Sequence, residues 1–496
     1  VTFTDKSTGT ITQWEWDFDN DGTVDSTDQN PTYTYSNPGW YTVKLTVSNG
    51  TSSDTCVKER YVLVYNNVYY VDGDNGDDAK SGTDWSDAWR TIGKALSVAD
   101  DYDLILVADA TYNETDLNFN GKKIYLKGVD HNNAGHRPVI DCQKNGRAFY
   151  LGSGETEDSV IDNFEIENGK DDNGGAIYID SNSAPMIINC AFSRNNANSY
   201  GGAIYCANSN PTVLNCTFTT NKASYYGGAI YCESSNPTIT DCTFNCNTAN
   251  WDGGAILCFA SSPTVRDCTF TGNSAKGSGG AICCTDNAPM LTNCTFNGNS
   301  AGDDGGAFAC YSSRPSLTNC TFSSNSATND GGAISCDDSS TPTLTNCAFS
   351  GNSAGKNGGA VACYSSSPTL TNCTLSSNNA DENGGAVQCE SNSNPTLNNC
   401  ILWANTATND GNEIYISDTG SFCALNYCCV DNAGYGGQTG NVTENNCVYD
   451  DPQFIDPANG DYHLNDASPC IDAGDNSLVP SGVEEDLDGN QRIVDG

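Results

Sequence analysis

Basic residues are scarce in this sequence: 21 Lys and Arg stand against 62 Asp and Glu, a formal net charge of −41. So negative a balance excludes nucleic acid and anionic membrane as partners, and it suits cations and a soluble, exposed life. Long apolar runs are missing too. Without 18 consecutive apolar residues no membrane span is expected, and without a basic-then-apolar leader the sequence reads as a mature extracellular segment. Histidine occurs only as His131, His136 and His463, outside the repeats described below, so thiol catalysis in those repeats has no imidazole to draw on. Cysteine, by contrast, is abundant. Its 26 residues are not spaced CxxC, and such a number fits an oxidising, extracellular setting better than a reducing cytosol.

The stretch NCTFTTNKASYYGGAIYC, Asn215 to Cys232, returns with small changes down most of the chain. Glycine pairs begin at Gly174, Gly201, Gly227, Gly253, Gly279, Gly305, Gly331, Gly358 and Gly384, at steps of 26 or 27 residues, and a degenerate GNEIYI follows at Gly411. Self-similarity at such a period marks a solenoid. No apolar period near 3.6 is sustained, which excludes helical repeats. Three strands per coil fit the order instead. In GGAIYC, Ile204 and Cys206 lie two apart and share the inner face, with Tyr205 outside. Pro211 marks a turn, TVLN puts Val213 inside, and CTFTTN puts Cys216 and Phe218 inside. The expected fold class is all-β, a parallel β-helix with roughly nine regular coils stacked about 4.8 Å apart. Asn195, Asn221, Asn247, Asn273, Asn299, Asn325, Asn352, Asn378 and Asn405 would stack into a ladder whose amides donate and accept from coil to coil.

FTTNKASYYGGAI combines FxxN with GGAI, and in this the chain resembles the polymorphic outer-membrane proteins of chlamydiae, which are surface adhesins. YYVDGDNGDDAKSGTDWSDAWRTIGKAL (Tyr69 to Leu96) is similar to the opening of right-handed parallel β-helices of the pectin-lyase-like superfamily. Trp89, Ile92 and Leu96 fall on one face of that stretch, suited to capping the first coil. DPQFIDPANGDYHLNDASPCIDAGD (Asp451 to Asp475), with DLDGNQRIVDG after it, resembles the closing region of many secreted members. The resemblance implies a right-handed β-helix and leaves the activity open. Residues 1–65 do not repeat. Their alternating strands look like a PKD-type domain, an immunoglobulin-like β-sandwich, without its usual first strand. The expected domains are this sandwich (1–65), a linker and N-terminal cap (66–120), β-helix repeats (121–420), and C-terminal coils with a closing region (421–496).

Within the sandwich, Asp17, Asp19, Asp21, Gly22, Asp25 and Asp28 occupy positions 1, 3, 5, 6, 9 and 12 of a twelve-residue loop. That is the ligand pattern of an EF-hand loop with Asp at the last place, here between strands. Calcium, which needs six or more hard oxygens, is the expected cofactor; a solvated acidic hairpin is the alternative. Asp72, Asp74 and Asp77 in DGDNGDD, and Asp486 and Asp488 in EEDLDGN, are weaker versions of the same pattern.

The repeat cysteines form two inward columns, ten or eleven residues apart within a coil. Eight in-coil disulfides are candidates: Cys206–Cys216, Cys232–Cys242, Cys258–Cys268, Cys284–Cys294, Cys310–Cys320, Cys336–Cys347, Cys363–Cys373 and Cys389–Cys400. The alternative is a stack of free thiols, each acting as a small buried residue. Ile179 and Ile416 replace the first column while Cys190 and Cys428 remain in the second, so the columns are not strictly linked.

A lyase needs a Lys or Arg base and a hydrolase needs converging carboxylates, and either breaks a repeat locally. Here Arg194, Lys222, Arg266, Lys276, Arg314 and Lys356 are scattered singly, and Asp252, Asp303, Asp304, Asp330, Asp381 and Glu382 read as a solvated acidic stripe. Outward TxT pairs such as Thr238 with Thr240 are ordinary exposed-strand residues. The expected function is non-catalytic: a rigid, calcium-stabilised extracellular rod for adhesion or a surface layer. Its partners would be a cell-surface or glycan ligand and other copies of itself, joined head to tail at the unpaired edge Val1–Ser7. The alternative is a carbohydrate-active β-helix that binds or cleaves acidic glycans.

Overall fold

A computed structural model describes residues 1–492 apart from Ala134. The alternation in each repeat produces a coil of four strands. In the coil that opens at Gly201 they are Ile204–Ala207, Thr212–Leu214, Thr217–Thr219 and Lys222–Ala223. The last adds to the three read from the sequence; two residues are too few for alternation to show. Each strand pairs in parallel with its counterpart in the next coil: Ile204 with Ile230, Val213 with Ile239, Phe218 with Phe244, Ala223 with Ala249. The result is four long parallel sheets, of 12, 15, 13 and 10 strands, wrapped around one core. We call them the GGA sheet, the proline sheet, the phenylalanine sheet and the short sheet, in that order. The glycine pair is a steric requirement. A Cβ on Gly201, whose φ is +61°, would sit 2.2 Å from the carbonyl oxygen of Ile204, and one on Gly202 would sit 2.0 Å from that of Gly228.

Inside the coils, equal residues stack at the coil spacing. Phe192, Phe218, Phe244, Phe270, Phe296, Phe322 and Phe349 follow one another with ring centroids 4.7–4.8 Å apart and planes within 6° of parallel. The asparagines make the polar counterpart. Asn273 accepts at Oδ1 from both the backbone N–H and the Nδ2 of Asn247, and its own Nδ2 donates to Asn299 Oδ1 and to the carbonyl of Phe244, all at 2.9–3.0 Å. The pattern runs from Asn195 to Asn405, always donating toward the following coil. It closes on Glu413, which takes Asn405 Nδ2 at 2.6 Å and replaces the alanine of GGA in the degenerate coil.

At the front, Gln13–Asp17, Gly39–Ser48 and Ser53–Val64 form an antiparallel sheet over a small core of Phe3, Trp16, Phe18 and Val43. The segment expected to be an unpaired edge is partly paired: Phe3 N–H donates to Pro31 O, and Tyr33 N–H to Val1 O, each at 2.9 Å. Arg60 joins this region to the first coils, with Nη1 2.8 Å from Asp158 Oδ1 and Nη2 donating to Glu157 O. The cap is the helix Ile92–Val98, N-capped by Thr91, with Trp89, Ile92 and Leu96 buried in the core of the first coils. The closing region returns along the outside, where Asn346 and Asn399 donate to the carbonyls of Glu485 and Asp475. Its last residues, 493–496, lie outside the described residues.

Candidate functional site

Of the five aspartates in the front loop, the structure brings three together. Asp17, Asp19 and Asp21 each offer an oxygen within 4.8 Å of the others. Asp17 is buried, its carboxylate accepting the N–H groups of Asp21 and Gly22, with Lys44 Nζ 3.8 Å away. Asp25 and Asp28 do not join them. Asp25 turns its carboxylate to the N–H of Phe18 at 2.7 Å, and Asp28 contributes its carbonyl to Trp16 Nε1. The weaker acidic loops are satisfied within themselves: Asp72 takes the N–H groups of Asp74 and Asn75, Asp77 takes that of Ala79, Asp486 takes those of Asp488 and Asn490, and Asp488 lies against His463. Among the described residues, only the Asp17–Asp19–Asp21 group has cation-ligand spacing.

Every cysteine in the structure is a free thiol. The eight in-coil pairs expected as one alternative remain open thiols here, and the sulfurs of the second column find hydrogen-bond partners along it. Cys242 Sγ accepts the N–H of Cys216 at 3.4 Å and donates to the carbonyl of Thr240 at 3.2 Å, and the same bonds recur along the second column. In the first column, burial pushes the Cys284 thiol far up, so it stays protonated.

The outer face of the GGA sheet is less uniform than the repeat implies. Its central outward column reads Tyr150, Tyr178, Tyr205, Tyr231, Leu257, then Cys283, Ala309, Ser335, Ala362. The tyrosines stack, Tyr205 on Tyr231 with planes 1° apart, and Tyr200 and Tyr226 pack beside them. Tyr225, Trp251 and Phe259 stand exposed nearby. Where the column turns small, Cys283, Ala309, Ser335 and Ala362 form the floor of a trough that the side chains on either side close over, leaving all four buried. One wall is Tyr311, Asp337 and Tyr364, from the ends of consecutive GGA strands. The other is Ser278, Asp304 and Asp330, each the residue before a glycine pair. The two tyrosines bridge the walls: Tyr311 Oη reaches Ser278 Oγ at 2.8 Å, and Tyr364 Oη donates to Asp330 Oδ2 at 3.0 Å.

Between these bridges lies Asp337, whose Oδ2 accepts from Ser335 Oγ at 2.7 Å. Burial, with the charges of Asp304, Asp338 and Asp330, raises its carboxyl to about 7. Asp304 is raised as well, first by burial, and Asp252 by burial and by Asp303. Asp330 is buried and accepts the N–H and Nδ2 of Asn357. The acids read as a solvated stripe therefore divide. Asp303, Asp381 and Glu382 are exposed, whereas Asp252, Asp304 and Asp330 turn inward against hydrogen-bond donors. Asp337 was missed because its column holds Phe, Thr, Tyr and Glu in other coils; the signal was its 33-residue distance from Asp304, which places it one coil on and across the trough.

Two family descriptions match the chain. "Right handed beta helix region" matches residues 123–289 and 275–401, together more than half of the 496, and "PKD domain" matches residues 1–64. No curated protein matches. Among solved structures, the chain is similar to pectate lyase Pel9A at 14% identity and a TM-score of 0.34, covering 87% of this chain and 97% of that one. It is similar to a rhamnogalacturonan lyase at 12% identity and 0.29, covering 79% and 91%, and to the GH136 lacto-N-biosidase of Eubacterium ramulus at 12% and 0.29, covering 77% and 68%. These likenesses concern the fold alone. They do correct the expectation that the chain is not an enzyme: all three proteins are enzymes, so a β-helix architecture gives no ground for setting catalysis aside. By the extent of its match, the chain belongs to the right-handed β-helix family, with a PKD domain at its front.

Proposed function

We propose that this chain is an extracellular, carbohydrate-active β-helix that lays a neutral glycan along the outer face of the GGA sheet and hydrolyses it in the trough. The observation that supports this reading is Asp337, a half-buried carboxyl held near pH 7 between two tyrosines and facing Asp304 and Asp330. Glycoside hydrolysis uses one carboxylic acid to protonate the leaving oxygen and a second carboxylate as base or nucleophile, and unlike environments assign the roles. Asp337 is the acid in this scheme and Asp330, already fixed by Asn357, is the second carboxylate. Exposed Tyr225, Trp251 and Phe259 offer ring faces to sugars on the approach. A trough walled by acids in a chain of net charge −41 favours a neutral chain over a polyuronate there.

Calcium belongs to the same reading as a brace for the front domain, held by Asp17, Asp19 and Asp21, where three acids close together favour a cation over mutual repulsion. The test of the main proposal is release of reducing ends from a panel of neutral polysaccharides. Asp337→Asn should lower kcat by at least a hundredfold while leaving the melting temperature near neutral pH unchanged or higher. Full activity in that variant, or no turnover of any glycan by the wild-type chain, refutes it.

A further inference from the structure

The basic residues of the repeats look isolated in the sequence, but coil register gathers four of them. Lys170 pairs with Asn196, and Asn196 with Lys222, in the short sheet. Lys144 stands 26 residues before Lys170, and Arg194 occupies the corner just ahead of Asn196. These four cations, all exposed, line one open groove of about 380 Å³ together with Asn196 and Thr220. Four of the 21 basic residues thus converge on a molecule of net charge −41. The nearby acids are engaged: Glu167 pairs with Arg194, Asp171 with Arg147, Asp141 accepts from Asn168, and Glu165 from Ser193. Among the described residues, Lys144, Lys170 and Lys222 have no ion-pair partner.

We infer that this groove binds a short anionic oligosaccharide, its sulfate or carboxylate groups set against Lys144, Lys170, Arg194 and Lys222. The inference rests on the reading of the chain as glycan-active and adds a second, charge-selective subsite away from the trough. The corner's cations span three coil steps, about 14 Å, which a few sugar rings can follow. Screening at physiological salt acts over about 8 Å, so a ligand confined to the groove feels the local cations rather than the net charge. A flat anionic membrane or a long nucleic acid would instead press its charges against the surrounding acidic surface. Arg194, whose Nη2 already pairs with Glu167, offers only the rest of its planar fork to a carboxylate or sulfate, the lysines bring point charges, and Asn196 and Thr220 can meet sugar hydroxyls.

Titration calorimetry on the full chain tests this with a sulfated hexasaccharide, a hexa-uronate, a neutral hexasaccharide, inorganic sulfate, phosphatidylserine vesicles and single-stranded DNA. An anionic hexasaccharide should bind with an affinity that falls as salt rises. The double variant Lys170→Gln, Lys222→Gln should weaken it at least tenfold with an unaltered melt, and Lys276→Gln, at an exposed lysine outside the groove, should leave it unchanged. The inference is overturned if neither anionic hexasaccharide binds, or if the double variant binds them as tightly. Sulfate alone binding as well as the hexasaccharide reduces the groove to an adventitious ion site, and vesicle or DNA binding lost in the double variant gives it to that partner instead. Neutral-glycan turnover is read separately, so failure at the trough with retained binding at the groove rejects the hydrolase and not this site.

Discussion

The titration of Asp337 has a direction that can be checked. Its folded-state carboxyl, at about 7, lies above its ordinary value of 3.8, so folding favours the protonated form. The stability it supports is fully present below about pH 4 and is lost as pH rises through 7. Relative to the wild type, Asp337→Asn should therefore gain stability between pH 4 and pH 8, by on the order of 2–4 kcal/mol. Denaturant melts of both proteins at several pH values measure it; a constant difference across that range would show the carboxyl to be unshifted. Asn299 lends itself to a second residue-scale test. It is buried, accepts from the N–H and Nδ2 of Asn273, and donates to Asn325 and Phe270. Asn299→Ala leaves several buried groups unpaired and should cost about 3–5 kcal/mol, against less than about 0.5 for the exposed Asn297→Ala. The asparagine column was legible in the sequence because a polar residue recurs at a fixed position where all else is small or apolar. Asp337 was not, because its effect arises from residues one coil away that no local window contains.

Among the elements, the strands of the repeat could be read nearly in full. Period two gave Ile204, Cys206, Val213 and Phe218 their inward places, and all four are buried. The two-residue strand at Lys222–Ala223 escaped, since it owes its extended form to the corner asparagine and to its neighbours above and below. The cysteine columns were seen but their chemistry was left open; hydrogen bonds along the second column give each thiol a use in the reduced state. Alkylation of denatured, unreduced protein should accordingly label the repeat cysteines, as read by intact mass, and a spectrum with all of them protected would reject the thiol ladder. The front loop behaves as another separable element. If calcium sits between Asp17, Asp19 and Asp21, chelation should lower the melting temperature of the front domain by several degrees, and the pair Asp17→Ala, Asp21→Ala should abolish that response. An identical melt with and without chelator counts against the ion.

At the scale of the whole molecule, the outer surface is set by which coil carries which outward residue. Tyrosines occupy the early coils of the GGA sheet, small residues the middle ones, and the cationic corner lies beside the early coils. A common framework thus presents distinct side chains at intervals of a strand spacing, and the interior need not change for the exterior to diversify. The asparagine column shows why. Each amide donates forward and accepts from behind, so every internal rung is interchangeable, while only the first and the last, closed by Glu413, are particular. The column behaves as a ruler with identical graduations. Length can then change only in whole graduations: excision of residues 279–304, one complete unit joining Ser278 to Gly305, would shorten the molecule by about 4.8 Å with every remaining rung still met. The coil's turns absorb a residue without disturbing the graduations: the 27-residue steps from Asn325 to Asn352 and from Asn378 to Asn405 keep their rungs as the 26-residue steps do.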